Sequence, residues 1–233
     1  MSDRQTVIVF ALFPWVTQLD FTGPYQVFAA LRGASVILAS VEGGTITSAN
    51  GITFAGLQRL ADVPACDLIC VPGGIGVTDN AIKDEIFLGE LRRLAGTARY
   101  VTSVCTGSLA LGAAGLLRGK RAATHWAWRE LLRPFGAIPD AGRVVRDGNV
   151  ITGGGVTAGI DFALAVVAEL ADLETAQAIQ LGIEYAPAPP FDAGHPETAP
   201  PAILERVRAR METIAAQRRA AVEAAAARLN QHA

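Results

Sequence analysis

A chain of 233 residues with 51% hydrophobic and 18% charged side chains is long enough for one large domain, or one domain with an extension, and too apolar to remain a solvated coil. Its 20 basic and 22 acidic residues leave a net charge of -2, which gives no electrostatic footprint for nucleic acid. Three cysteines without framework spacing, an opening segment without a signal-peptide pattern and no apolar run near the ~20 residues of a membrane span point to a cytoplasmic protein, neither exported nor embedded in a membrane. Alanine is the commonest residue and only 6% are aromatic, so helices are expected to pack closely through small side chains.

In chain order, short β-rich runs alternate with helical patterns. Thr6-Val7-Ile8-Val9-Phe10 is apolar on both faces, as a strand buried in a parallel sheet must be. A helix is predicted over residues 24–31 with Thr22 or Gly23 near its N-cap, then a strand over 35–39. Residues 41–60 read as a turn and small edge strands around Gly43-Gly44 and Asn50-Gly51. Residues 67–71 form a buried strand running into Pro72-Gly73-Gly74, residues 82–94 an amphipathic helix, and residues 100–104 a strand ending at Cys105. A small-residue helix follows to about Ala114, closed by Gly115. Residues 122–124 read as a short strand, 126–132 as a helix, and 143–152 as a hairpin turning at Asp147-Gly148. Helices over 157–171 and 174–183 precede a proline-rich crossing over 186–201. A final helix runs from 202 to about 229, where Ile203, Val207, Met211 and Ile214 recur at helical spacing, a stripe for packing on the body or on a second subunit.

Such alternation is the signature of an open, mostly parallel α/β sheet, in which ligands bind at the carboxyl ends of strands. Two strand ends stand out. At Val104-Cys105-Thr106-Gly107-Ser108 an apolar strand breaks into a helix of small residues, as in a nucleophile elbow. A thiol there is expected to have its pKa lowered by the helix N-terminus; the alternative is an inert buried cysteine. At Val71-Pro72-Gly73-Gly74 two glycines expose main-chain N–H groups, and those of Gly74 and Thr106 together are expected to form an oxyanion-type hole. No phosphate-loop spacing follows them. Asp20, among apolar neighbours, is either a helix N-cap or an acid beside Cys105, in which case the two groups cannot both ionise cheaply. His125 ends a further strand, as a pocket residue or a satisfied core histidine. Cys66 and Cys70 lie four residues apart without accompanying ligands, so no metal site is expected.

Val71-Pro72-Gly73-Gly74, Val104-Cys105-Thr106-Gly107, Thr124-His125-Trp126 and the run from Gly154 to Asp161 together resemble the ThiJ/PfpI superfamily of class I glutamine-amidotransferase-like proteins. The resemblance spans most of residues 5–185. It implies a flavodoxin-like three-layer α/β sandwich with a mostly parallel sheet and a nucleophile elbow. Residues 1–185 would form that domain, and residues 186–233 a Pro-rich linker and C-terminal helix packed on the domain or a dimer partner. Leu19-Asp20-Phe21-Thr22-Gly23-Pro24, Cys105-Thr106 and the linker from Glu184 to Asp192 are most similar to its isonitrile-hydrating branch. That branch implies a homodimer that hydrates small-molecule isonitriles to N-substituted formamides without a cofactor. Cys105 would be the nucleophile, Asp20 the proton donor, and Thr106 the residue positioning acid or water. Gly74 would add a backbone donor, and His125, Trp126, Gly154 and Val156 would line the pocket. The protease branch places histidine after its cysteine, where this chain has Thr106, and other branches place glutamate where this chain has Asp20. The stretch after Pro201 reads as one helix, too little for the paired helix-turn-helix units of a DNA-binding branch. The alternative within the superfamily is a redox-responsive or glyoxalase-like protein with an oxidisable cysteine.

Overall fold

The computed structural model describes residues 5–231. Eight strands form one sheet: β1 (Thr6–Ala11), β2 (Ala34–Ser40), β3 (Gly44–Thr47), β4 (Thr53–Arg59), β5 (Leu68–Val71), β6 (Tyr100–Val104), and, after two short strands outside it, β9 (Val144–Asp147) and β10 (Val150–Gly153). Their order is β3-β4-β2-β1-β5-β6-β10-β9. Every pairing from β4 to β10 is parallel, and only the edge hairpins β3/β4 and β9/β10 are antiparallel. The register aligns Phe10 with Cys70, Val71 with Ser103 and Val104 with Gly153, so the ends of β1, β5, β6 and β10 open on one edge. A separate parallel pair joins β7 (Arg121–Ala122) to β8 (Ile138–Pro139).

Helices cover both faces. On one, α1 (Leu19–Ala29) packs on α5 (Ala158–Leu170), which packs on α6 (Leu173–Gly182). On the other lie α3 (Glu85–Ala95) and α4 (Gly107–Ala113), with the short α2 (Gly76–Asp79) at the edge and α7 (Pro201–Gln231) outermost. Close packing through small residues holds at α1/α5, where a Cβ on Gly159 would sit 3.0 Å from Pro24 Cδ and one on Gly23 would sit 3.1 Å from Ile160 Cγ1. Few as they are, the aromatics sit at the seams: Phe10, Phe21, Phe28 and Phe162 are fully buried, and Phe28 meets Phe162 edge-on at 6.1 Å. Each such ring contributes roughly 1.5–3 kcal/mol of hydrophobic stabilisation.

Three expectations are corrected. Helix α1 starts at Leu19, not near residue 24. The carbonyls of Thr17 and Gln18 accept the N–H groups of Asp20 and Thr22, at 3.1 and 2.9 Å. Pro24 therefore lies inside the helix and removes a single hydrogen bond rather than marking its start. The strand over 122–124 shrinks to β7, and residues Trp126–Phe135 form a 3₁₀ run rather than an α-helix; Pro134 within it lacks a donor. In α7 the buried stripe is Ala215, Arg218, Val222, Ala225 and Ala226, whereas Ile203 and Ile214 are each 37% exposed. Of the expected stripe, Met211 packs against the core and Val207 is half-buried, while Ile203 and Ile214 face outward.

Two glycines separate steric demand from chain entropy. A Cβ on Gly107 would sit 2.0 Å from Val71 O, while one on Gly89 in α3 would meet nothing within 4 Å. Gly107→Ala is expected to destabilise by about 3 kcal/mol or more, lowering Tm by roughly 6–12 °C. Gly89→Ala is expected to stabilise by about 0.5–1 kcal/mol. Thermal melts of the two variants check the contrast.

Candidate active site

The site is assembled where β5 and β6 end. Cys105 follows β6 with φ of 54°, a left-handed conformation that costs a non-glycine residue about 1–2 kcal/mol. Hydrogen bonds hold it there: its N–H donates to Gly153 O at 2.9 Å, and its carbonyl accepts from Thr124 Oγ1 at 3.0 Å and Ser108 Oγ at 3.2 Å. The turn lifts the side chain off the sheet, as an elbow requires, yet the residue is only 5% exposed.

Opposite lies the loop after β5. Gly74 N–H donates to Thr106 Oγ1 at 3.0 Å, and Thr106 Oγ1 also lies 3.3 Å from Gly74 O. The backbone at Gly74 has φ of 141° and forms an antiparallel bridge to Val16, so the loop is tied to the segment leading into α1. Gly73 N–H donates to Asp20 Oδ2 at 2.9 Å. A Cβ on Gly73 would come within 2.6 Å of Thr106 N and 2.7 Å of Asp20 Oδ2, so this position holds the glycine around which Asp20, Thr106 and the loop converge.

Asp20 is fully buried, and its Oδ1 has no hydrogen-bond partner among the described residues. It lies in the first turn of α1, whose N-cap position belongs to Gln18; the alternative of Asp20 as a helix N-cap is thereby excluded. Burial pushes its carboxyl from 3.8 up to about 7, against the Gly73 N–H and the Cys105 side chain, which favour the anion. The Cys105 thiol is pushed well above its ordinary value, first by burial and then by the Asp20 charge, while the Thr106 N–H and side chain pull the other way. The expected lowering of the thiol pKa is thus reversed, because desolvation outweighs the donors at the start of α4. Sulfur keeps its proton through neutral pH and faces a carboxyl that titrates at about 7, so the carboxyl proton is also retained well above its ordinary range.

The expected hole of two N–H donors is also revised: Gly74 N–H is already given to Thr106 Oγ1, which leaves the Thr106 N–H as the donor directed at sulfur. His125 caps the 3₁₀ run, its Nδ1 accepting from Ala127 N–H at 3.3 Å. Burial and the charges of Arg218 and Arg129 lower its pKa to about 4, so it stays neutral near pH 7. Trp126 stacks obliquely on it at 5.5 Å. Gly154 N–H donates to Arg143 O at 2.9 Å, and Val156 is half-buried against the core. A cavity of about 430 Å³ beside the ends of β1 and β2 is lined by Phe13, Ile46, Asn80 and Phe87, among others, and not by Cys105, Asp20 or Thr106. Among the described residues no cluster of His, Cys, Asp and Glu could hold a metal ion, and no helix is long and apolar enough to cross a membrane.

One buried charge escaped the sequence reading. Arg218, from the packed half of α7, is 6% exposed and lies over the Trp128 ring at 4.6 Å from its centroid. The available signal was its phase: it falls on the stripe with Ala215, Val222 and Ala225, where a charge is out of place.

A parallel sheet ending in a strained cysteine beside a buried acid defines an α/β protein of the nucleophile-elbow class. The DJ-1/PfpI family model matches residues 6–169, and the chain belongs to that family. It is 54% identical over 223 residues, 96% of this chain and 97% of the relative, to an isonitrile hydratase of Pseudomonas putida. It is 27% identical over 188 residues, 78% of this chain and 97% of the relative, to protein dj-1beta of Drosophila melanogaster. Among solved structures, a ThiJ/PfpI family protein from Pseudomonas syringae superposes with a TM-score of 0.88 at 40% identity, covering 95% of this chain and 90% of that one.

The raised pKa of Asp20 has a consequence for stability. Below its ordinary value of 3.8 the carboxyl is protonated in both folded and unfolded chains. As pH rises to about 7 only the unfolded chain releases the proton, so stability falls across that interval. Asp20→Asn keeps an acceptor for Gly73 N–H and removes the effect. Its melting temperature is expected to match wild type at pH 4 and exceed it at pH 8, by up to ~4 kcal/mol of stability. Melts across that range check it.

Proposed function

We propose that the chain hydrates isonitriles, adding water to R–N≡C to give an N-substituted formamide. The observation that carries this reading is the 54% identity to an isonitrile hydratase over nearly the full length of both chains. The Asp20–Cys105–Thr106 cluster suits that chemistry, because the terminal carbon of an isonitrile both accepts a nucleophile and needs a proton.

In the proposed sequence, the Cys105 sulfur bonds to the terminal carbon while its proton passes through Asp20 to the same carbon. The product is a thioimidate, R–N=CH–S–Cys105. Asp20, again a carboxylate, takes one proton from water as the hydroxyl oxygen bonds to that carbon, and passes it to nitrogen. Collapse breaks the C–S bond as the remaining hydroxyl proton passes through Asp20 to sulfur, releasing R–NH–CHO, with the Thr106 N–H stabilising sulfur as it leaves. Thr106, clasped to Gly74, would fix the geometry of both steps, with Trp126, Gly154 and Val156 walling the R group. The chemistry balances with the chain's own groups and water. A thiol pushed up by burial and only 5% exposed is a poor target for mild oxidants, which disfavours the redox-responsive alternative. The same reading takes residues 1–185 as the catalytic body and 186–233 as an appendage to it, in a cytoplasmic homodimer.

Formamide production from cyclohexyl isocyanide tests the proposal. Cys105→Ala is expected to lose at least ~10³-fold in kcat, and Asp20→Asn about 10²–10⁴-fold. Because the step requires Asp20 as a carboxylate, kcat/KM is expected to fall as pH drops through about 7. Undiminished turnover in Cys105→Ala would sink the mechanism.

A further inference from the structure

The carbonyl that holds the Cys105 N–H, Gly153 O, belongs to a stretch with little rigidity of its own. Gly153-Gly154-Gly155 are three successive glycines, the residue type with the most backbone freedom to lose on folding. A Cβ on Gly155 would meet nothing within 4 Å, so no packing fixes the chain there. Its course is left to hydrogen bonds, and one residue supplies them at both ends of Gly154–Thr157.

Arg143, directly before β9, accepts the Gly154 N–H on its carbonyl at 2.9 Å. Its side chain reaches the other end of the loop, where Nη2 donates to Thr157 O at 3.1 Å and to Thr157 Oγ1 at 3.3 Å. The guanidinium is aimed by Asp161, in the first turn of α5, whose Oδ2 accepts from Arg143 Nε at 2.7 Å. The same oxygen accepts from the Tyr185 hydroxyl at 3.1 Å. Thr157 occupies the N-cap position of α5, yet its side chain caps no backbone N–H; its hydroxyl is turned to Arg143 instead. A guanidinium fork spans Asp161 and Thr157 at once, which a point-like ammonium cannot do. For stability alone the arrangement offers little, because the Arg143 and Asp161 side chains are 53% and 33% exposed and exposed ion pairs contribute little.

We propose that Arg143 is a positioning residue of the Cys105 site: its side chain ties its own carbonyl to the start of α5, and that carbonyl fixes the peptide unit on which the left-handed turn of Cys105 hangs. Gly153 O and the Gly154 N–H are the two edges of a single planar peptide group. Arg143 O holds one edge and the Cys105 N–H is held by the other, each at 2.9 Å. A tilt of that plane moves the acceptor of Cys105 and with it the direction of the sulfur. The consequence for turnover rests on the hydratase reading, whereas the consequence for the turn itself does not.

Arg143→Met removes the fork and keeps the length of the side chain. Amide hydrogen exchange at Cys105, followed by NMR, is expected to rise about tenfold while the amides of β1 keep their wild-type rates. With cyclohexyl isocyanide, kcat is expected to fall about 10–100-fold and KM to stay within about threefold, as for a reacting group misplaced in a site that still binds. Arg143→Lys is expected to recover part of both effects. Asp161→Asn is expected to match Arg143→Met, and the double variant to be no worse than either, because both act through one contact. If Arg143→Met does not fold, Asp161→Asn is read in its place. Arg133→Met, which breaks the exposed Arg133–Glu130 pair, is expected to change neither readout. Wild-type exchange at Cys105 in Arg143→Met, a rise shared equally by β1, a raised KM with kcat unchanged, or the same changes in Arg133→Met overturns the inference. Raised exchange at Cys105 alone, with no turnover of the isocyanide by the wild-type chain, would show that the hydratase reading fails and the positioning role stands.

Discussion

Two stretches of backbone, Val71–Gly74 and Cys105–Gly107, pass so close together that no side chain fits between them, and the site depends on that approach. Gly107 faces Val71 O and Gly73 faces Thr106 and Asp20 at distances a Cβ could not share. The approach is possible because β5 and β6 are adjacent parallel strands in register, with Val71 beside Ser103. Once it is made, the left-handed turn at Cys105, the Gly74–Thr106 clasp and the Gly73–Asp20 hydrogen bond form together. The strain at Cys105 is held by neighbours on both sides: Gly153 O accepts the Cys105 N–H, and Thr124 Oγ1 donates to the Cys105 carbonyl. Strain of that kind persists where the surroundings over-determine it, and functional sites are where it concentrates.

Burial does the rest. With Asp20 fully buried and Cys105 nearly so, neither acid ionises at its ordinary pH, and the pair retains a proton that water would otherwise remove. The helix-terminus argument for a reactive thiolate looks at one donor on one side of the sulfur. In the folded chain the opposing terms are larger: lost hydration and a carboxylate as neighbour. The result is a buried acid with a raised pKa beside a thiol, at a stability cost that the surrounding core must offset.

Much of this was legible in the sequence, for identifiable reasons. Strands β1 and β5 announced themselves as apolar runs, the β9/β10 hairpin by Asp147-Gly148, and the elbow by the small residues after Cys105, all local signals. The start of α1 was misread because Thr22-Gly23-Pro24 has the form of a helix start, while the carbonyls that begin the helix belong to Thr17 and Gln18. Gly74 lies beside Thr106, but the acceptor of its N–H is 32 residues away in the chain, and no local pattern reports such a pairing. In α7 the large side chains of its first half drew attention from the alanine face that is buried. Alanine stripes carry little hydrophobic contrast, so a charged residue among them, Arg218, looked like one more exposed arginine.

The placement of α7 also bears on the order in which the molecule is completed. Every strand of the sheet and every hydrogen bond around Cys105 and Asp20 lies before residue 154, whereas the helix that covers α2, α4 and the 3₁₀ run arrives only after an irregular crossing of residues 183–200. During synthesis the sheet and its strained turn can therefore form while the outer layer beside them is still missing. The apolar surfaces that Ala215, Val222 and Ala225 later cover stand open to solvent and to other chains over that interval. A nascent chain stalled there would hold an assembled cysteine–acid pair under an incomplete roof, and docking of α7 is the event that closes the molecule.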